Sequence, residues 1–351
     1  MTVTIDEVYF EHTFGDLSTK RTIVPTSNSG FENGYYEFAE DPDMGSVKIT
    51  KRDMFQTLTY ANGKKVWFDK LGEGDRVEKY KYSEILSRLK SSFDGSENCV
   101  SLGEISDSSL SHSIERIVLG RGNGKRVLIS AGIHGDEPAG VETVCSFIER
   151  KEYLRFVQEW EITLVPCINP FGYEANTRSN HEGVDLNRKF KSPSPPREVV
   201  LAQKLFDSKF DLTLELHEDV DSSGYYLFHL SADGLRPALV PGILKNVKTV
   251  MPINMDSEID GNPANEGVIE RVSIDDKMDW WPMAFYSLSK GTSTCLTLET
   301  ATRFPMRTRI EAHLQAIETA LESRYAGGKV RPRCTVRKPG PDATRDPESS
   351  G

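Results

Sequence analysis

Paired cysteines are missing from this chain. It has five cysteines in 351 residues, Cys99, Cys145, Cys167, Cys295 and Cys334, an odd number with no CxxC spacing among them. A disulfide framework is therefore not expected, and a reducing compartment is. Cys145, Cys167 and Cys295 lie in apolar runs, where a free thiol acts as a small hydrophobe. Long apolar runs are also missing. No stretch approaches the roughly 18 residues a membrane helix needs, and the acidic start MTVTIDEVYFEH has no signal-peptide core. The expectation is a cytoplasmic protein with no membrane partner. Basic clusters are absent outside the C-terminal tail, and the formal net charge is -10. Phosphate-backbone binding needs a surplus of Lys and Arg, so no nucleic acid partner is expected.

What remains has the composition of a globular protein, long enough to bury a core without staples. Residues 1–75 are rich in Thr, Val, Tyr and Phe with scattered Gly and Asn, and read as a small β-rich appendage. Asn62-Gly63 predicts a hairpin turn within it. Residues 76–113 read as a helix over 82–93 and a Ser-rich connection, with one short strand at Cys99–Leu102. From 114 to 325 apolar runs alternate with amphipathic segments. Strands are predicted at Arg116–Leu119, Arg126–Ile133, Ile162–Ile168, Leu212–Leu216 and Cys295–Leu298. Helices are predicted after Pro138, over Val199–Phe210, and along Ile310, Leu314, Ile317 and Leu321. This alternation predicts an α/β domain with a mostly parallel mixed sheet flanked by helices. Residues 326–351 are rich in Gly, Pro and charge and read as a disordered tail. There are no internal repeats.

Four segments carry candidate chemistry. In Gly132-Ile133-His134-Gly135-Asp136-Glu137-Pro138, an imidazole and a carboxylate share the turn between a strand and a helix. Such turns at the C-terminal ends of strands are where open α/β sheets bind ligands. The spacing lets both donors face one point about 2 Å from each, as zinc requires. By itself the pair fits a polar turn with a capping glutamate equally well. His217 follows the apolar run Leu212–Leu216 and reaches another strand end; a lone histidine there is more often a hydrogen-bonded core residue. Two histidines and one carboxylate would leave a fourth zinc position open for water, a catalytic rather than a structural set. Arg178 and the run Gly183-Val184-Asp185-Leu186-Asn187-Arg188 place two arginines and an asparagine in a glycine-punctuated loop. They could bind a carboxylate or an oxyanion, or be surface residues. Glu299 closes a strand of apolar rhythm, where a carboxylate could act as general base or simply be solvated.

In order and spacing these segments resemble the M14 zinc carboxypeptidase superfamily, which includes the succinylglutamate desuccinylase and aspartoacylase branch. The resemblance spans roughly residues 114–325, and GVDLNRKF is its most diagnostic run. It implies one zinc ion held by His134, Glu137 and His217, with Glu299 as general acid/base and Arg178 polarising the scissile carbonyl. It further implies that Asn187 and Arg188 clamp a substrate carboxylate, and that Asp185 orients His134. The expected substrate is a small peptide cleaved at a C-terminal amide; the alternatives are deacylation of an N-acyl amino acid and an inactive binding module. The sequence departs from the family where digestive carboxypeptidases place a substrate-capping Tyr. Tyr286 stands thirteen residues before Glu299, and Tyr225 and Tyr226 lie far upstream, so none is assigned that role. Lys277–Trp281 is expected to line the specificity pocket.

Overall fold

A computed structural model describes residues 81–92, 98–234, 239–271 and 278–322, together with the backbone of seven strands N-terminal to residue 70. Those strands are β1 (Val3–Thr4), β2 (Glu7–Phe14), β3 (Leu17–Pro25), β4 (Gly34–Phe38), β5 (Val47–Arg52), β6 (Phe55–Tyr60) and β7 (Lys65–Asp69). They pair in sequence order as one antiparallel sheet, the β-rich appendage. β6 and β7 pair from Thr59↔Lys65 onward; Asn62-Gly63 between them, and the predicted tail at 326–351, lie outside the described residues.

The second sheet has eight strands. They are β8 (Cys99–Ser106), β9 (Ser111–Leu119), β10 (Lys125–Ala131), β11 (Trp160–Val165), β12 (Leu212–Asp219), β13 (Tyr226–Ser231), β16 (Val268–Arg271) and β17 (Thr294–Ala301). Their order is β16-β13-β17-β12-β10-β11-β9-β8. The middle four, β17, β12, β10 and β11, are parallel; β9 pairs antiparallel on one side and β13 on the other. A two-stranded ribbon, β14 (Glu258–Ile259) and β15 (Asn262–Pro263), lies between β13 and β16 in sequence. The sheet and its core reach N-terminal to residue 114: β8 pairs with β9, and Tyr82, Ile85 and Leu89 of helix α1 (Tyr82–Ser91) join the main core.

The remaining helices are α2 (Pro138–Glu149), α3 (Pro170–Ala175), α4 (Arg197–Gln203), α5 (Leu239–Val247), α6 (Met283–Ser289) and α7 (Met306–Glu322). Pro138 starts α2 at a position where its missing N–H costs nothing. Leucines of β12 and β17 alternate into the main core with apolar residues of α2, α5 and α7. A second cluster, built on Leu128, Val165, Leu186, Phe190, Val199 and Met283, fills the opposite side. Among the described residues, no helix is long and apolar enough to cross a membrane.

Two predicted strands run further than their apolar runs. β12 and β17 stay in parallel register from Leu212↔Thr294 to Asp219↔Ala301, so His217 and Glu299 lie inside strands rather than at their ends. Backbone pairing tolerates polar side chains wherever alternate residues face a cavity. The predicted helix over Val199–Phe210 divides into α4 and a short 3-10 turn at Lys204–Asp207.

Candidate metal centre

The loop between β10 and α2 needs glycine twice. Gly132 has φ +62°, the left-handed region. Gly135 packs so closely on Gly172 of α3 that a Cβ would fall 1.8 Å from the Gly172 carbonyl carbon. The Gly135 N–H donates to the Thr177 carbonyl at 3.0 Å, which ties the His134 turn to the loop carrying Arg178.

This tie brings distant segments together. His134, Glu137 and His217 are all buried, and one potential ligand atom from each lies within 4.8 Å of the others, a group that could hold a metal ion. Glu137 precedes α2 at its N-cap, yet its side chain caps no N–H of that helix. It faces the two imidazoles instead, with Oε1 2.7 Å from His134 Nδ1 and Oε2 2.8 Å from His217 Nδ1. His134 Nε2 lies 3.3 Å from Asp185 Oδ1. Asp185 also caps the 3-10 turn Leu186–Arg188 by accepting the Asn187 N–H at 3.0 Å. Thus the local turn that orders the loop also fixes the imidazole.

The donor set suits a cation. A carboxylate only accepts, so the His134 Nε2–H donates a hydrogen bond to Asp185. Its Nδ1 can then meet Glu137 as a second N–H, or as a lone pair sharing a cation with the carboxylate; His217 stands in the same relation. Burial disfavours imidazolium at both histidines, while Glu137, joined by Asp185 at His134 and by Glu299 at His217, offsets this and leaves both pKa values raised. Burial likewise works against the Glu137 anion, but His217 and His134 hold its carboxyl well below the usual range. One divalent ion satisfies both lone pairs and the carboxylate without two buried imidazolium charges.

Glu299 is the cross-strand partner of His217 in the β12–β17 pair and of Tyr226 in the β13–β17 pair. Burial pushes its pKa well above the usual carboxylate value; His217 acts against this, and Glu137, Asp219 and Asp260 add to it. Arg178 Nε donates to Asp185 Oδ2 at 3.1 Å and Nη1 to Glu137 Oε1 at 3.4 Å. Its Nη2 is the guanidinium nitrogen these carboxylates leave free. Asn187 Oδ1 accepts the Met283 N–H at 2.8 Å, which anchors the start of α6 and leaves the amide NH2 as the available donor. The Arg188 guanidinium carbon stands 4.1 Å from the Trp280 ring centroid, a cation–π contact. All eight sequence-predicted site residues except Asp185 line one cavity of about 420 Å³, within the range of small-molecule sites. Met278 and Trp280 line it too; Lys277 lies outside the described residues. Tyr226 is the tyrosine that lines it, and its hydroxyl donates to Asp219 Oδ2 at 2.9 Å. Tyr286 packs instead against Phe190 and Phe206.

Sequence reasoning missed the support behind the cluster. Glu218 is buried. Its Oε1 accepts the Ala139 N–H of α2 at 2.7 Å, its other oxygen pairs with Arg309, and its backbone N–H donates to Glu137 Oε2 at 3.3 Å. His313 Nε2 lies 3.1 Å from the His217 carbonyl, and burial lowers its pKa to about 3, so a neutral ring donates there. Arg309 and His313 are four apart on α7, on one face of the helix. That spacing was visible in the sequence, but nothing there linked it to β12. Glu215, two residues before His217, is fully buried with no hydrogen-bond partner, and burial pushes its pKa up to about 7 against the pull of both imidazoles.

The model of the succinylglutamate desuccinylase/aspartoacylase catalytic domain matches residues 123–320. The chain belongs to this family. The match takes in every candidate site residue named above. A comparison with curated proteins gave no match. Among solved structures, a candidate metallopeptidase from Shewanella denitrificans OS217 is 23% identical with TM-score 0.58, covering 68% of this chain and 88% of its own. One from Shewanella amazonensis SB2B is 23% identical with TM-score 0.59, covering 68% and 91%. A metallo-carboxypeptidase from Burkholderia cenocepacia is 17% identical with TM-score 0.53, covering 79% and 77%. At these identities the likenesses establish a shared fold alone, a mixed α/β sheet flanked by helices.

Proposed function

We propose that this chain is a zinc-dependent amide hydrolase whose substrate carries a free carboxylate on the leaving-amine side. The observation that carries the reading is the convergence of His134, Glu137 and His217 with Glu299 on the neighbouring strand rung, all at one cavity. His134, Glu137 and His217 would hold the zinc, which when bound would supply Lewis-acid polarisation and lower the pKa of water towards about 7. The remaining work falls to side chains. Glu299 accepts the proton of the attacking water and delivers it to the departing nitrogen; its raised proton affinity suits the second half of that task. Arg178 meets the developing oxyanion through Nη2. Arg188 and the Asn187 amide hold the carboxylate, and Trp280 keeps the Arg188 fork in plane. Asp185 fixes the tautomer and orientation of His134.

The first substrate to test is a small peptide cleaved at its C-terminal residue. A second reading, deacylation of an N-acyl amino acid, is favoured by the family match over residues 123–320. The test is a panel of short peptides with free and amidated C-termini beside N-acyl amino acids, assayed with zinc-loaded protein. Hydrolysis limited to substrates with a free carboxylate supports the proposal. Equal rates on amidated peptides would remove the clamp, and no turnover of any member would leave a binding module.

A further inference from the structure

The two candidate histidine ligands are held unequally. Each presents Nδ1 to Glu137, at 2.7 Å for His134 and 2.8 Å for His217. The far nitrogen of His134 meets Asp185 Oδ1 at 3.3 Å. The far nitrogen of His217 meets no hydrogen-bond partner among the described residues. A metal-ligating imidazole almost always donates its second N–H to a carboxylate, a carbonyl or water, which fixes the ring and makes the ligand nitrogen more basic. Two residues earlier on β12 stands Glu215, buried, with neither carboxylate oxygen hydrogen-bonded. Residues two apart on a strand share one face, about 7 Å from each other. One face of β12 therefore carries a donor without an acceptor beside an acceptor without a donor. The strands on either side add two hydroxyl residues at the level of Glu215, its cross-strand partners Ser130 of β10 and Thr297 of β17. Thr297 also lines the cavity, so solvent reaches this rung of the sheet.

Resting on the zinc-hydrolase reading above, we propose that Glu215 is a positioning residue of the metal centre, which holds the His217 ring through one bound water. The water accepts the His217 Nε2–H and donates to the Glu215 carboxylate. Its place follows from the spacing. A direct hydrogen bond spans about 3 Å and a water-bridged pair about 5 Å, and only the second suits two side chains standing about 7 Å apart at their backbones. A buried water needs two to four polar partners, and His217, Glu215 and the Thr297 hydroxyl supply three. A role for Glu215 as mere packing fits poorly, because a buried carboxylate without a partner disfavours the fold where a methionine of similar volume would not. The two ligand rings are then braced alike. Asp185 holds His134 directly and from a loop; Glu215 holds His217 through water and from within the same strand.

The test combines zinc affinity by chelator competition with denaturant unfolding of the zinc-free protein, in the wild type, Glu215→Met and Glu215→Gln. Glu215→Met removes the acceptor and should weaken zinc binding by about 10- to 100-fold. Glu215→Gln keeps an acceptor oxygen without the charge and should lose about tenfold or less. Zinc-free Glu215→Met should unfold at the same denaturant concentration as the wild type or at a higher one. Thr213→Val, one step further back on the same face, should change zinc affinity by less than about twofold, since no ligand ring depends on it. Proton NMR of the zinc-loaded wild type should show the His217 Nε2–H as a resonance protected from solvent exchange, and Glu215→Met should lose it. Should Glu215→Met not fold, Glu215→Gln and the wild-type resonance decide alone. Wild-type zinc affinity in the Glu215 variants, or a loss of stability with zinc affinity intact, would overturn the proposal and leave the ligand set standing. A wild-type protein that binds no zinc would instead overturn the hydrolase reading and the brace with it.

Discussion

On one face of β12 stand Leu212, Leu214 and Leu216; on the other stand Thr213, Glu215 and His217. β17 repeats the division, with Leu296 and Leu298 in the core and Cys295, Thr297 and Glu299 along the cavity. The leucine face holds register, since a slip of one residue would drive the charged face into the core. The other face can then carry buried ionisable groups, one of them, Glu215, with no hydrogen-bond partner. One face supplies the stability that the other spends on placing chemistry.

Substitutions can separate the two faces, and the largest effect is expected at the ligands. His134→Ala and His217→Ala should each abolish zinc binding and turnover while keeping native circular dichroism. Full zinc content by elemental analysis in either variant would contradict the ligand set. Glu299→Gln comes next: zinc retained, with turnover down by about 100- to 10,000-fold. Wild-type rates would remove Glu299 as the base. Arg178→Met should cost about 100- to 1000-fold in kcat with a smaller change in KM, and the split between the two constants is the check. Arg309→Met tests the support behind the cluster. It should weaken zinc affinity by about 10- to 100-fold in chelator competition, with partial rescue in Arg309→Lys. On the leucine face, Leu214→Ala should cost about 2–5 kcal/mol in denaturant unfolding yet leave kcat per folded molecule nearly unchanged. A large loss of kcat in that variant would show the faces to be coupled.

Much of this arrangement was legible in the sequence because the leucine face leaves a periodic trace. The runs Leu212–Leu216 and Cys295–Leu298 announced strands, and Pro138 announced the start of α2. The strand ends were not legible, since hydrophobicity fades at His217 and Glu299 while backbone pairing continues to Ala301. β13, with a histidine inside YLFHLS, and α6, whose MAFYSLS is aromatic enough to read as a strand, gave no clear period. For the candidate site, short spacings showed through: His134 with Glu137, and Asp185 with Asn187 and Arg188. Contacts between elements far apart in sequence did not. Arg309 on Glu218, His313 on the His217 carbonyl, and Tyr226 opposite Glu299 depend on how α7 and β13 pack, which no local pattern encodes.

The most direct measurement is zinc stoichiometry alongside turnover in three proteins: wild type, Glu299→Gln, and the double variant His134→Ala/His217→Ala. One zinc per chain with activity is expected in the first, one zinc without activity in the second, and neither in the third. A double variant that still binds one zinc and still turns over substrate would place the chemistry elsewhere in the molecule.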